Sequence, residues 1–469
     1  MKKGQVVLRL IVQHGVLFRL QSTYPTEDKN ETKPWRQLRT HASLACRTTL
    51  VYVGFPSGAR VQIHLLPRGI RRLSTCEGSS LIGDLTDLPL GLTHLVLCGS
   101  SDLLTSNFTM PLFPNLVHLT LCGKFNQNLS LFLKKDGGLP ENLTHLTLGI
   151  HFNRPVSFLA ENSSSKLTHL TFGTHFNQPL TAEGPFGTTK SPFGTTEGPF
   201  GKALPCGLTH LVLGYSYNQP FSVSDGKTCL PDSLTHLVLG YEFNQPFLKN
   251  DLPPNLTHLT LGHCFNQPLE NLPFSLTHLT LGARFNQPIS HRLPFSLIHL
   301  VFGTNFNQPL NNMPPNLVQL TLGSLFNQPL FSPENENEPF SCLSHLTLGF
   351  DYNQPFFSPC PIFSGLKKDS FGTEKESFGS KKDKSLFPEL THLVLGHKFN
   401  QPFLENLFPK LTHLFLGDRF DRPLFSPEKK GLLPSSLTHL SIGHDYNQPF
   451  LKDTLPFNLK HLSLGDKFD

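Results

Sequence analysis

The chain has 469 residues, 39 Lys plus Arg against 34 Asp plus Glu, and a net charge of +5. So small and scattered a balance excludes a nucleic-acid partner on electrostatic grounds, and no RNP, zinc-finger or helix-turn-helix pattern contradicts that. No run of about 18 apolar residues is present to cross a membrane. The nine cysteines are irregularly spaced and none forms a Cys-x-x-Cys pair, which points to a reducing, cytoplasmic setting with cysteines as small apolar fillers.

In chain order, residues 1–65 show neither a repeat nor a helical stripe and are expected to be a partly disordered non-repeat region. Met1-Lys2-Lys3 ahead of Val6-Val7-Leu8 resembles the start of a signal peptide, but Arg9, Gln13 and His14 interrupt the apolar stretch. From Leu66 onward the chain is a repeat domain, 66–469, opening on a worn unit at Ile70 to Thr75. Fifteen variants of Leu-Thr-His-Leu-Thr-Leu-Gly then follow between Leu92 and Gly465, most with Phe- or Tyr-Asn-Gln-Pro three residues later. Two inserts, 181–203 and 357–386, carry Phe-Gly microrepeats and are expected to be mobile loops. Cys98 and Cys122 stand where the unit normally has Gly, and are expected to be substitutions within the repeat and not a redox pair.

Number the unit from its first leucine. Positions four and six are two residues apart, the period of a strand, and positions one and four are Leu in every copy. An unvarying apolar set on a short strand needs a core, which stacking of copies into a parallel sheet supplies. The expected fold is therefore mainly β: a leucine-rich-repeat-like solenoid with one parallel sheet of about 15 short strands. Its convex side is expected to consist of loops and short 3-10 turns. Position-seven Gly is expected to end each strand at positive φ, and the following aromatic to fold back over the leucines.

The next residue is Asn153, Asn177, Asn218, Asn244, Asn266, Asn286, Asn307, Asn327, Asn353, Asn400 and Asn447 in successive units, with Asn126 ahead of them. In a turn, these amides can bond adjacent coils as an asparagine ladder. Asp421 replaces Asn once; a carboxylate cannot donate, so that coil is expected to be weaker.

Together, the Leu-Pro-x-x-Leu-x-x-Leu-x-Leu pattern and Phe-Asn-x-Pro resemble the FNIP repeat, a relative of the leucine-rich repeat, over roughly residues 88 to 469. Gln stands where the family name has Ile, as at Gln178, Gln245 and Gln267. Some viral members carry an N-terminal F-box that recruits a ubiquitin ligase. The resemblance therefore implies, as an alternative, an adaptor role through a cryptic F-box in residues 1–65, of which Trp35-Arg36-Gln37-Leu38 is the nearest echo.

Position three is His in fourteen of fifteen units: His94, His118, His145, His169, His210, His236, His258, His278, His299, His345, His392, His413, His439 and His461, with Gln319 the exception. Opposite the leucines, these imidazoles line the concave sheet face beside a column of Thr or Val at position five. Three readings are open: a structural stack copied by duplication, a face that binds a protein partner, and shared metal ligation. The last is disfavoured because a flat column offers two or three ligands where closed zinc sites use four. Stacked imidazoles are expected to resist protonation. No cofactor is implied, and no catalytic motif is present; a homogeneous column lacks the differing environments acid–base catalysis needs. A non-enzymatic protein-binding scaffold is the expected function. End-to-end self-association is a further alternative, because Phe468-Asp469 stops mid-unit.

Overall fold

The computed structural model describes residues 5–12, 17–23, 50–54, 60–66, 68–76, 80–82, 87–99, 113–126, 129, 139–159, 166–180, 204–222, 228–330, 340–356, 387–403, 407–426 and 431–469. Both inserts, and the Trp35 segment, lie outside the described residues. The chain forms two compact bodies: Met1–Phe243 with Leu248–Leu256, and Asn244–Phe247 with Thr257–Asp469.

In the first body, β1 (Gln5–Val12) pairs antiparallel with β2 (Leu17–Thr23) and with β3 (Leu50–Gly54). Strand β4 (Arg60–Gln62) pairs with β6 (Ser80–Ile82), while β3 runs parallel to β5 (Arg72–Ser74). The parallel ladder continues from β5 through β7 (His94–Gly99), β8 (His118–Gly123), β9 (His145–Leu148), β10 (His169–Thr171), β11 (His210–Val212) and β12 (His236–Val238). Parallel pairing thus reaches upstream of the expected first unit, into residues 50–54.

The second body carries the same ladder: β13 (His258–Thr260), β14 (His278–Thr280), β15 (His299–Val301), β16 (Gln319–Thr321), β17 (His345–Thr347), β18 (His392–Val394), β19 (His413–Phe415), β20 (His439–Ser441) and β21 (His461–Ser463). Register is exact in type: His278 faces His299, Leu279 faces Leu300, Thr280 faces Val301. The architecture is a parallel β-solenoid, with one strand per unit.

Where the entry is described, the coil meets its strand through a tight turn in which the residue three before position one accepts that leucine's N–H, as Pro205 does from Leu208 at 3.1 Å and Pro294 from Leu297 at 3.0 Å. Leucines at positions one and four are then sealed, Leu208 and Leu211 at 0 % exposure, except in the last unit, where Leu462 is 42 % exposed. The aromatic row lies behind them: Phe306 is wholly buried, its ring 5.9 Å from Phe285 and 6.0 Å from Phe326. Between coils, 3-10 turns are short, as at Ser157–Leu159.

Two expectations are corrected here. Position-seven glycines do not end strands at positive φ; among the described residues only Gly123, the residue after Cys122, does so. Close approach requires them instead, since a Cβ on Gly214 would fall on the Gly173 carbonyl oxygen, and one on Gly303 on that of Gly282. Cys98 and Cys122, in the coils that lack this glycine, are joined in a disulfide. Strands β7 and β8 pair them directly, with Cα atoms 4.6 Å apart, well inside bridging distance.

Candidate binding face: the histidine column

In the first body His94, His118, His145, His169, His210 and His236 form an unbroken stack, ring centroids 4.1–4.3 Å apart. In the second, His258, His278 and His299 stack at 4.1 and 4.4 Å, then Gln319 intervenes. His345, His392, His413, His439 and His461 resume the stack at 4.2–4.3 Å. Each ring projects from the same register position, so a strand spacing of about 4.8 Å brings neighbouring rings into stacking range. Most of these side chains are half-buried; His345 and His461 are exposed.

A hydroxyl on the preceding residue fixes the rings. Thr168 Oγ1 lies 2.9 Å from His169 Nδ1 and donates to the Thr144 carbonyl at 3.2 Å. The pair recurs at Thr209–His210, Thr277–His278, Thr391–His392 and Thr412–His413, and with Ser344 before His345. Sequence reasoning gave position two no role. Its signal is the Thr-His dipeptide itself, which sets a hydroxyl beside the imidazole in most units, Val117-His118, Ile298-His299 and Lys460-His461 excepted.

Burial, first, and neighbouring charge, second, hold several imidazoles below their ordinary value. His94 is pushed from 6.5 down to about 4 by burial, then by His118, Arg72 and His145. His118, His145, His169, His392 and His439 are lowered for the same leading reason, with other column histidines contributing in each. Mutual repulsion, the cause expected from sequence, is thus secondary to desolvation.

Stacking also limits what the column can ligate. Rings lying face to face point their nitrogen lone pairs parallel, whereas two ligands of one ion must converge on it at about 2.0–2.1 Å. Among the described residues no group of three or more His, Cys, Asp or Glu is placed to hold a metal ion. No helix there is long and apolar enough to cross a membrane.

Beside the imidazoles, position five is Thr, Val or Ser except at Phe415, which is 43 % exposed. The asparagine row runs along the turn that follows each strand. Asn153 N–H donates to Asn126 Oδ1, Asn177 to Asn153, and Asn218 to Asn177, each at 3.0 Å. In the second body the chain of bonds runs Asn244, Asn266, Asn286, Asn307, Asn327, Asn353, Asn400, Asp421, Asn447 at 2.8–3.1 Å.

The following Gln, unassigned from sequence, adds a second donor to the same oxygen, as Gln354 Nε2 does to Asn327 Oδ1 at 3.3 Å. These bonds ask only for an acceptor. Asp421 supplies one to Asn447 N–H at 3.0 Å and to Gln448 Nε2 at 2.9 Å. The expectation that Asp421 weakens its coil is corrected accordingly. A further seam, also missed, joins the residue before position one to the preceding coil: Asn255 Nδ2 to the Asp232 carbonyl at 2.9 Å, and Asn316 Nδ2 to that of Phe295 at 3.0 Å.

Strands in register, a leucine core and side-chain seams between coils define a leucine-rich-repeat-like solenoid protein. The FNIP Repeat model matches residues 199–242, 226–264, 265–304, 285–325 and 420–467. Residues 199–325 and 420–467 of the chain are thus FNIP repeats. Solved structures similar to it include CroV588, described as a novel circular LRR protein, at 26% identity over 90% of this chain and 73% of that one, TM-score 0.42. YopM from Yersinia enterocolitica WA-314 is 17% identical over 87% of this chain and 85% of that one, TM-score 0.33. No curated protein matches the chain.

Proposed function

We propose that this protein is a non-enzymatic scaffold that binds a partner protein through the His/Thr face of its sheet. Repeat solenoids of this kind use their sheet as an extended contact surface. The observation that carries the reading is a difference between two columns on one face. Position five has drifted among Thr, Val, Ser and Phe, whereas position three is His in all but one coil. Copying alone would hold both columns equally, and the leucine core does not depend on either.

The test is capture of partners by the full-length chain from its native cell extract, compared with a variant carrying His169→Ala, His210→Ala and His236→Ala. Partners held by the parent and lost by the variant, with circular dichroism unchanged, support the reading. Equal capture by both would overturn it.

A further inference from the structure

Where a hydroxyl precedes the histidine, it decides which atom of the ring is offered to solvent. Thr168 Oγ1 has one proton and two short contacts, His169 Nδ1 at 2.9 Å and the Thr144 carbonyl at 3.2 Å. Thr209, Thr277, Thr391, Thr412 and Thr438 repeat the arrangement, at 2.8–2.9 Å to the ring and 3.0–3.1 Å to the carbonyl. A hydroxyl proton pointed at the ring would leave two oxygens facing each other at that carbonyl distance with no hydrogen between them. If it points at the carbonyl, the second contact needs a proton from the imidazole, so Nδ1 carries it. The carbonyl already accepts two N–H bonds, from Thr168 and His169 at 2.9 Å each; a third donor there is tolerable, whereas bare lone-pair opposition is not.

His299 gives the same answer by another route. Its predecessor is Ile298, which has no hydroxyl, and its Nδ1 lies 3.0 Å from Gln319 Oε1. An amide oxygen only accepts, so this imidazole also donates through Nδ1.

A neutral imidazole has one N–H. With that proton on Nδ1 and turned toward the strand, Nε2 of His169, His210, His392 and His413 presents its lone pair at the end of the ring farther from the backbone. We propose that these histidines are hydrogen-bond acceptors of the column, and that the segment they take is an extended stretch of partner protein whose uncharged amide or hydroxyl side chains donate to them. The identification rests on the His face being the binding surface.

Charge selects against the other donors and acceptors. An acidic segment would set carboxylate oxygens against Nε2 lone pairs with no proton to share. A basic segment would meet a chain of net charge +5, in whose first body Arg72 sits in register beside His94 at the head of the column.

Histidine-selective 15N NMR on the full-length chain, at a pH where the imidazoles are neutral, reads the tautomer directly. The expected result is Nδ1–H for His169, His210, His392 and His413. Thr168→Val and Thr209→Val should shift His169 and His210 toward Nε2–H. The coil accommodates this change, since Val117 and Ile298 hold the same place in the parent chain. Column signals in the Nε2–H form, or no response to the valines, would overturn the inference while leaving the binding-face reading intact.

Partner polarity is read on whichever protein the parent chain captures. Glutamine at 169, 210 and 236 keeps an acceptor, as Gln319 already does in the column, and should retain that partner. Lysine at the same three positions only donates and should weaken it roughly tenfold or more. Retention by the lysine variant with loss by the glutamine variant would reverse the assignment. Indifference to alanine there sinks the binding-face reading itself.

Discussion

Two rows of side chains run along this protein with nearly equal regularity, and they do different work. The asparagine row closes backbone bonds between coils: each Oδ1 receives an N–H from the next coil, and often a Gln Nε2 as well. The histidine row closes nothing in the core; its bonds are to the hydroxyl beside it and its stacking is to its own neighbours. Repetition in sequence therefore does not separate a row that builds the fold from one the fold displays. The atoms each row satisfies do separate them, and substitutions can measure the difference.

The largest effect should come from the close approach that both rows depend on. Gly214→Ala places a methyl on the Gly173 carbonyl oxygen, backbone against backbone with no flexible side chain to yield. A loss of about 3 kcal/mol or more is expected in urea unfolding; unchanged stability would mean that the coils are not in this register.

Next come the rows themselves. Asn307→Leu removes the acceptor of Asn327 N–H and Gln328 Nε2, at about 1–3 kcal/mol for each donor left unpaired. Asn307→Asp keeps an acceptor, as Asp421 does, and should restore most of that loss at neutral pH. His278→Ala, by contrast, should stay within about 1 kcal/mol, since it leaves no buried donor without a partner. A histidine change as costly as the leucine change would erase the distinction between the rows.

Acid separates the rows in a different way. His94, His118, His145, His169, His392 and His439 titrate below their unfolded value of 6.5. Under acid the unfolded chain takes up protons first, so the stability tied to these groups is present above about pH 6.5 and falls as pH drops toward about 4, the value for His94. Melting temperature followed by circular dichroism should decline across that window, and less steeply in a variant with Gln at positions 118, 145 and 169. A flat profile would mean that the stack does not resist protonation.

Much of this was legible in the sequence because a solenoid puts its core in the repeat itself. The leucines, the aromatic and the asparagine each recur at a fixed offset, so their rows could be written down without coordinates. What stayed hidden were reasons lying in the neighbouring coil. Position-two Thr bonds the same position of the coil before it, 20 residues back at Thr277 and 47 back at Thr391, where an insert intervenes. No fixed spacing announces such a contact. Glycine at position seven looked like a conformational requirement because a single unit cannot show the backbone stacked against it. Asp421 looked defective because only the bonded partners reveal that its place needs an acceptor. The disulfide between Cys98 and Cys122 became visible only once β7 and β8 were set side by side.

The smallest effect concerns the aromatic row, which lies behind both. Phe occupies it in most coils, but Tyr217, Tyr352 and Tyr446 bring hydroxyls that are buried with no hydrogen-bond partner. Burial raises the phenol pKa of all three, Tyr446 up to about 12, so each stays neutral yet still carries a polar group taken out of water. Removing an unsatisfied hydroxyl recovers its desolvation cost without opening a cavity larger than one oxygen. Tyr217→Phe should therefore stabilise the chain, by about 1 kcal/mol at most, and the double change with Tyr352→Phe should be close to additive because the sites share no contact. Destabilisation by Tyr217→Phe in the same urea titration would mean that the hydroxyl has a bonding partner, and that the row, uniform as it looks, contains a polar site of its own.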